Sequence, residues 1–271
     1  ATPGLVDVGL DTWNIDLSLL PSEADAVFPV HYAGLPVDLA KPGWSQRPKL
    51  VVEDAAHALG ARTPDGPVGN CAHSDMTCFS FHPVKPITTG EGGMVTTNNS
   101  ELAERLRRFR SHGIVRKPGN GGWYYEISEL GYHYRMTDLQ AALGLSQLRR
   151  LDEFITRRNE IASKYRSELR GLDIVFQLEA APGFTHGYHL FAVRVPERSR
   201  TFEALVSAGV RPQVHYVPVH HHPLSVDVVI AESGLGNSDL VYSGLLSLPL
   251  FPELKDEEFS RVLNVLHGFV A

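Results

Sequence analysis

A lysine held between prolines is the first residue in this chain with an evident chemical use. The run Thr77-Cys78-Phe79-Ser80-Phe81 reads as a buried strand, and His82-Pro83-Val84-Lys85-Pro86 follows it directly. Pro83 and Pro86 disfavour helix and restrict the backbone around Lys85. A lysine fixed just beyond a buried strand is a Schiff-base candidate, whereas an unconstrained lysine is ordinarily a solvated charge. A second strand, Leu50-Val51-Val52, runs into Glu53-Asp54-Ala55-Ala56-His57. A carboxylate leaving a buried strand either caps the segment that follows or pairs with a cation, and both readings stand for Asp54. Gly90-Glu91-Gly92-Gly93 lacks the Gly-x-Gly-x-x-Gly spacing and precedes a strand, so it is not a dinucleotide loop. No Gly-x-Ser-x-Gly elbow surrounds Ser80, which argues against a serine hydrolase. His215 and the run His220-His221-His222 suggest metal binding at first sight. Adjacent histidines on a strand point to opposite faces, so no specific metal site is expected there.

The rest of the composition narrows the class. The 271 residues allow one large domain or two smaller ones, with a core that needs no staples. Lys and Arg total 25 against 31 Asp and Glu, a formal charge of −6, which speaks against nucleic acid or an anionic membrane as a bulk-charge partner. No apolar run approaches the roughly 18 residues of a membrane span, and the N-terminal stretch has no basic region of a secretory signal. Cys71 and Cys78 are separated by six residues, which fits neither a zinc knuckle nor a redox pair, and two reduced thiols in a cytoplasmic protein are expected.

Elements able to position these groups follow from pattern. Ala26–Val30, Leu50–Val52, Thr77–Phe81 and Met94–Thr97 read as buried strands. Pro42 and Gly43 interrupt any helix between the first two. Ser100 is placed to cap a helix running to about Arg110. Thr137-Asp138-Leu139-Gln140 reads as a capping box opening one long helix, with an apolar stripe through Leu139, Leu143, Gln147, Leu151, Phe154 and Ile155, and Gly171 as its stop. Beyond it a strand is expected at Leu190–Val195, a helix from Thr201 to Ala208, a strand at Gln213–Val219 and a last helix from Asp256. This is α/β grammar, with ligands expected at the C-terminal ends of strands.

Four segments together resemble a known family: Glu53 to Gly60, Ser80 to Lys85, Gly90 to Gly93, and Gly131-Tyr132-His133-Tyr134-Arg135-Met136-Thr137-Asp138. They are similar to the DegT-type sugar aminotransferases, and Ser74–Thr77, Arg110–Ile114 and Trp123–Glu126 resemble its pseudaminic acid branch. The resemblance implies an α/β protein of PLP-dependent transferase fold type I (aspartate aminotransferase-like). Residues 1–150 would form a large lobe on a mostly parallel sheet. Residues 151–271 would form a connecting helix and a small α+β lobe. It further implies a cytoplasmic homodimer with shared active sites and pyridoxal 5′-phosphate as cofactor. L-glutamate would be the amino donor and a 4-keto UDP-sugar the acceptor, in surface-glycan biosynthesis. Perosamine- or 4-amino-arabinose-type enzymes are the alternative within the family, and a truncated, non-catalytic homologue is the alternative outside catalysis.

The resemblance also assigns roles by position. Lys85 would carry PLP as a Schiff base and then move the proton between cofactor and substrate carbons. Asp54 would pair with the pyridine nitrogen, and His57 would lie by the ring near its 3′-oxygen. Ser80 would bond the phosphate or face the substrate. His215 and Tyr216 would line the substrate, and Arg135 would meet the nucleotide diphosphate across the dimer. His133 replaces the family's usual Asn, which contacts the phosphate across the dimer, and an imidazole can donate a similar bond. Family members carry on the order of 100 further N-terminal residues, including a Gly-Thr turn that holds the phosphate at a helix N-terminus. Nothing in this sequence matches that turn, so a first lobe that starts short, inside a strand at Ala1, is expected.

Overall fold

Branched apolar residues at Val51 and Val52, both buried, make Leu50–Asp54 the central strand of a four-stranded sheet. The computed structural model describes residues 1–223 and 228–270. The sheet order is Ala26–Val27, Leu50–Asp54, Met76–Ser80, Gly93–Thr96, with the first two pairings parallel and the last antiparallel. The first strand is shorter than its sequence suggests, with Val30 contributing only an isolated bridge to Asp54. The last strand can return antiparallel because the loop between them doubles back: Phe81 N–H donates to Gly92 C=O at 2.8 Å. No α-helix lies between the first two strands.

Helix α1 (Ser100–Phe109) is capped by Asn99, not by Ser100, since the Asn99 amide oxygen accepts from Glu101 and Leu102 N–H at 2.9 and 3.1 Å. The Thr137–Gln140 capping box is present. The long helix it opens is, however, two: α2 (Asp138–Leu148) and α3 (Leu151–Glu168), broken at Arg149 and Arg150. The break divides the apolar stripe. Phe154 and Ile155 are buried on α3, while α2 buries no residue, and Leu139 is 85% exposed.

The C-terminal half packs α3, α4 (Arg198–Ser207) and α6 (Asp256–Phe269) around an antiparallel sheet of Val175–Phe176, Phe191–Arg194 and Leu245–Leu248. Tyr165, Phe191, Leu205, Leu246 and Leu266 fill its core. The strand expected at Gln213–Val219 does not form. Only Gln213 bridges, to Ser247, and Pro212 and Pro218 lack the N–H groups that a ladder needs at either end. Near the N-terminus the strand is Gly4–Leu5, so Ala1 precedes it, and it pairs with Val229–Ile230. Buried Asp7 then accepts the N–H groups of Asn237 and Ser238, at 2.8 Å each, in the first turn of α5 (Gly236–Gly244).

Candidate active site

Strand alternation decides the fates of two adjacent carboxylates. Glu53 turns into the protein, where it meets His31 Nε2 at 2.8 Å and accepts from the hydroxyls of Ser74 and Thr77. His31 Nδ1 accepts the Val37 N–H at 2.9 Å, so its other nitrogen donates to Glu53. Asp54 faces the other way, at the C-terminal end of the strand and in register with Cys78. One of its oxygens accepts the Ala56 N–H at 3.0 Å. Its charge also bears on Lys85, Cys78 and Tyr216. The capping reading of Asp54 therefore holds for a turn rather than a helix. The Asp54 charge raises the proton affinity of Lys85, but no ion pair joins the two among the described residues.

Lys85 is half-buried beyond the neighbouring strand, its N–H tied to His82 C=O at 3.0 Å. Burial lowers the proton affinity of its amine, and the Asp54 carboxylate raises it in part. Ser80 ends that strand, and its hydroxyl accepts the His82 N–H at 3.3 Å. The wall opposite is aromatic. His57 is buried and pushed down to about 3 by burial, with the Lys85 and His215 charges acting the same way. Its Nε2 lies 3.2 Å from the Tyr216 hydroxyl. His215, also lowered by burial and by Lys85, has Nδ1 2.9 Å from Ser247 Oγ.

Asp54, His57, Lys85, His215 and Tyr216 are thus brought together, with Ser80 at the end of the strand that leads to Lys85. His133 and Arg135 are not. They pair with each other at 2.9 Å, both exposed, and make no hydrogen bond, ion pair or ring contact with Lys85, Asp54 or His57 among the described residues. His220 and His221 lie on a tight 3-10 turn, not a strand, so their rings need not diverge. Their Nε2 atoms approach one oxygen of Asp239 on α5 at 2.8 and 2.9 Å.

Sequence reasoning misses three contributors: Tyr32, His189 and Ser247. The Tyr32 hydroxyl donates to His215 C=O, and the His189 ring packs 4.5 Å from that of His57. One signal was present for Tyr32, because Val-His-Tyr occurs both at Val30–Tyr32 and at Val214–Tyr216. A half-buried amine of lowered proton affinity, a strand-end carboxylate and an imidazole donor form the donor set suited to pyridoxal phosphate.

Comparison with known proteins agrees. Residues 1–267 match the DegT/DnrJ/EryC1/StrS aminotransferase family. The spore coat polysaccharide biosynthesis protein SpsC of Bacillus subtilis is 36% identical over 289 residues, covering all of this chain and 74% of that protein. The UDP-4-amino-4,6-dideoxy-N-acetyl-β-L-altrosamine transaminase of Campylobacter jejuni is 38% identical over 218 residues, 78% of this chain and 56% of that one. Spr1654 from Streptococcus pneumoniae, solved in its PMP form, superposes with a TM-score of 0.85 at 28% identity, covering 98% of this chain and 75% of that chain. It has also been solved in a PLP form. Asp54 stands at the end of one strand and Lys85 just beyond its parallel neighbour, and the chain belongs to the DegT/DnrJ/EryC1/StrS aminotransferase family and is a sugar aminotransferase.

Proposed function

We propose that this aminotransferase moves the amino group of L-glutamate, through pyridoxal phosphate, onto the 4-keto carbon of a UDP-sugar destined for a surface glycan of the pseudaminic acid type. The observation that carries the reading is the meeting of Asp54 and Lys85 beside His57 and Tyr216. Bound pyridoxal phosphate supplies the electron sink that lets an amino acid lose its α-proton.

The protein's own groups do the rest. Asp54 would supply the fixed negative charge that keeps a bound ring nitrogen protonated. Lys85 would hold the cofactor, and its Nζ, when free, would be the base that moves the proton. Burial favours its neutral form, which is the form that can accept that proton. Ser80 bonds the phosphate or faces the sugar, and His215 and Tyr216 line the sugar side. Arg135 and His133, standing away from Lys85, serve the site of a second subunit, where the guanidinium meets the diphosphate and the imidazole meets the cofactor phosphate. A homodimer with shared sites follows. No helix among the described residues is long and apolar enough to cross a membrane. Cys71 and Cys78 are free thiols, as cytoplasmic sugar-nucleotide chemistry would leave them.

The test is spectroscopic. Added pyridoxal phosphate should give the visible absorbance of a lysine Schiff base, Lys85→Ala should abolish it, and glutamate should bleach it in the unmodified protein. Identical spectra for the two proteins would sink the assignment of Lys85. Product analysis with keto forms of UDP- and GDP-sugars then reads the acceptor, and amination of a GDP-sugar alone would replace the UDP reading with a perosamine-type one.

A further inference from the structure

We propose that His189 is a positioning residue of this site: with the left-handed turn at Ala33–Gly34 it holds His57 with its proton on Nε2, making that nitrogen a fixed donor toward the site. Ala33 N–H donates to His57 Nδ1 at 3.3 Å. An N–H can bond only a bare ring nitrogen, so the proton of the neutral ring sits on Nε2. That nitrogen is the one facing the Tyr216 hydroxyl.

The turn that aims Ala33 is over-determined. Ala33 has φ +58, a left-handed conformation that is strained for a residue with a Cβ. Gly34 next to it has φ +106, and a Cβ there would fall 2.7 Å from Tyr188 N and 2.8 Å from His57 C=O. Gly187 N–H donates to Gly34 C=O at 2.8 Å, and Leu190 N–H to Ala33 C=O at 3.2 Å. The segment that carries His189 therefore also fixes the turn that fixes His57.

His189 itself is 6% exposed, and its ring stands against the His57 ring at a tilt of 53°. Its side chain makes no hydrogen bond among the described residues, and its Nδ1 is buried without a partner. What holds the ring is packing, and its contact with His57 is what it contributes to the site. That contact keeps water from one side of His57. Lys85, His215, Tyr216 and Tyr32 face His57 from the other elements around it. The Lys85 amine and the His215 ring act against a further charge on His57, in the same direction as burial.

The role of the Nε2–H as a donor to a bound cofactor rests on the aminotransferase reading, but the tautomer does not. Long-range ¹⁵N–¹H NMR of the full chain without added cofactor tests it, with His57 assigned by the signals lost in His57→Gln. The unmodified chain should show a neutral, Nε2-protonated His57 that does not titrate from about pH 5.5 to about pH 8. His189→Ala admits water and should bring His57 into titration in that range, while His189→Phe refills the volume and should restore the non-titrating ring. His189→Val removes only part of the ring's volume and carries the same test should the alanine variant not fold, with His57 again expected to titrate in that range. An Nδ1-protonated or titrating His57 in the unmodified chain overturns the proposal. So does a His57 spectrum indifferent to either His189→Ala or His189→Val. Failure to bind pyridoxal phosphate would instead count against the proposed function and leave the tautomer result standing.

Discussion

Glu53 and Asp54 are neighbours, and the strand gives them to different parts of the molecule. Glu53 supports folding. Burial alone would raise its pKa, but the bonds from His31, Ser74 and Thr77 outweigh that and hold it below its ordinary 4.5. A carboxyl group depressed on folding adds stability above its unfolded pKa and loses it as the pH falls from there through the folded value. Glu53→Gln should therefore cost about 1–3 kcal/mol near neutral pH, because its NH₂ faces donors, and denaturant titration should show the gap closing below about pH 4.5. A gap that is constant with pH would show the carboxylate charge to be irrelevant. Asp54 and Lys85 are legible in the sequence, since strand ends and paired prolines are local signals. His189 and Ser247 are not, because each reaches the site from a segment distant in sequence, through packing that no local pattern encodes, and Tyr32 is marked only by the repeated Val-His-Tyr.

Among the elements, those whose signal lies in adjacent residues form as read: the Thr137 capping box, the strands Leu50–Asp54, Met76–Ser80 and Gly93–Thr96, and the last helix. Those that depend on distant partners do not. Gln213–Val219 has a strand's composition but lies between prolines, and α2 has a core helix's stripe but no described residue covering it. The cap on α5 is a long-range case. Asp7 is supplied from the far end of the chain, and although burial works against its charge, the N–H groups of Asn237, Val8 and Ser238 hold its pKa down. Asp7→Ala should lower stability by about 1–2 kcal/mol, read as a lower Tm, with the Gly4–Leu5 strand losing hydrogen-exchange protection along with α5. Exchange that changes in α5 alone would mean that the cap does not tie the two segments.

On the scale of the whole molecule, the residues from Phe109 to Leu148 carry many exposed apolar side chains. Trp123, Ile127, Leu130, Leu139 and Leu145 are all exposed, along the hairpin of Ile114–Arg116 with Tyr125–Ile127 and along α2. Such patches mark contact surfaces. The same stretch carries His133 and Arg135, so the surface proposed to join two subunits also delivers their shared residues. Leu139→Asp, on the exposed face of α2, should leave the fold intact and shift sedimentation from dimer to monomer, with loss of transamination. An unchanged sedimentation coefficient would place the subunit contact elsewhere.

The guanidinium of Arg158, on α3, has a consequence for how ligands act on this protein. One of its nitrogens reaches the carbonyls of Tyr188 and Leu250 at 3.0 Å and that of His189 at 3.4 Å. The backbone beneath the active-site imidazoles and the core of the C-terminal half thus share a single buried cation. Any displacement of that core relative to α3 must disturb the carbonyl that carries His189. Binding and folding are then linked quantities: a ligand that orders the His57–His189 pair stabilises the C-terminal core by the same free energy with which that core favours the ligand.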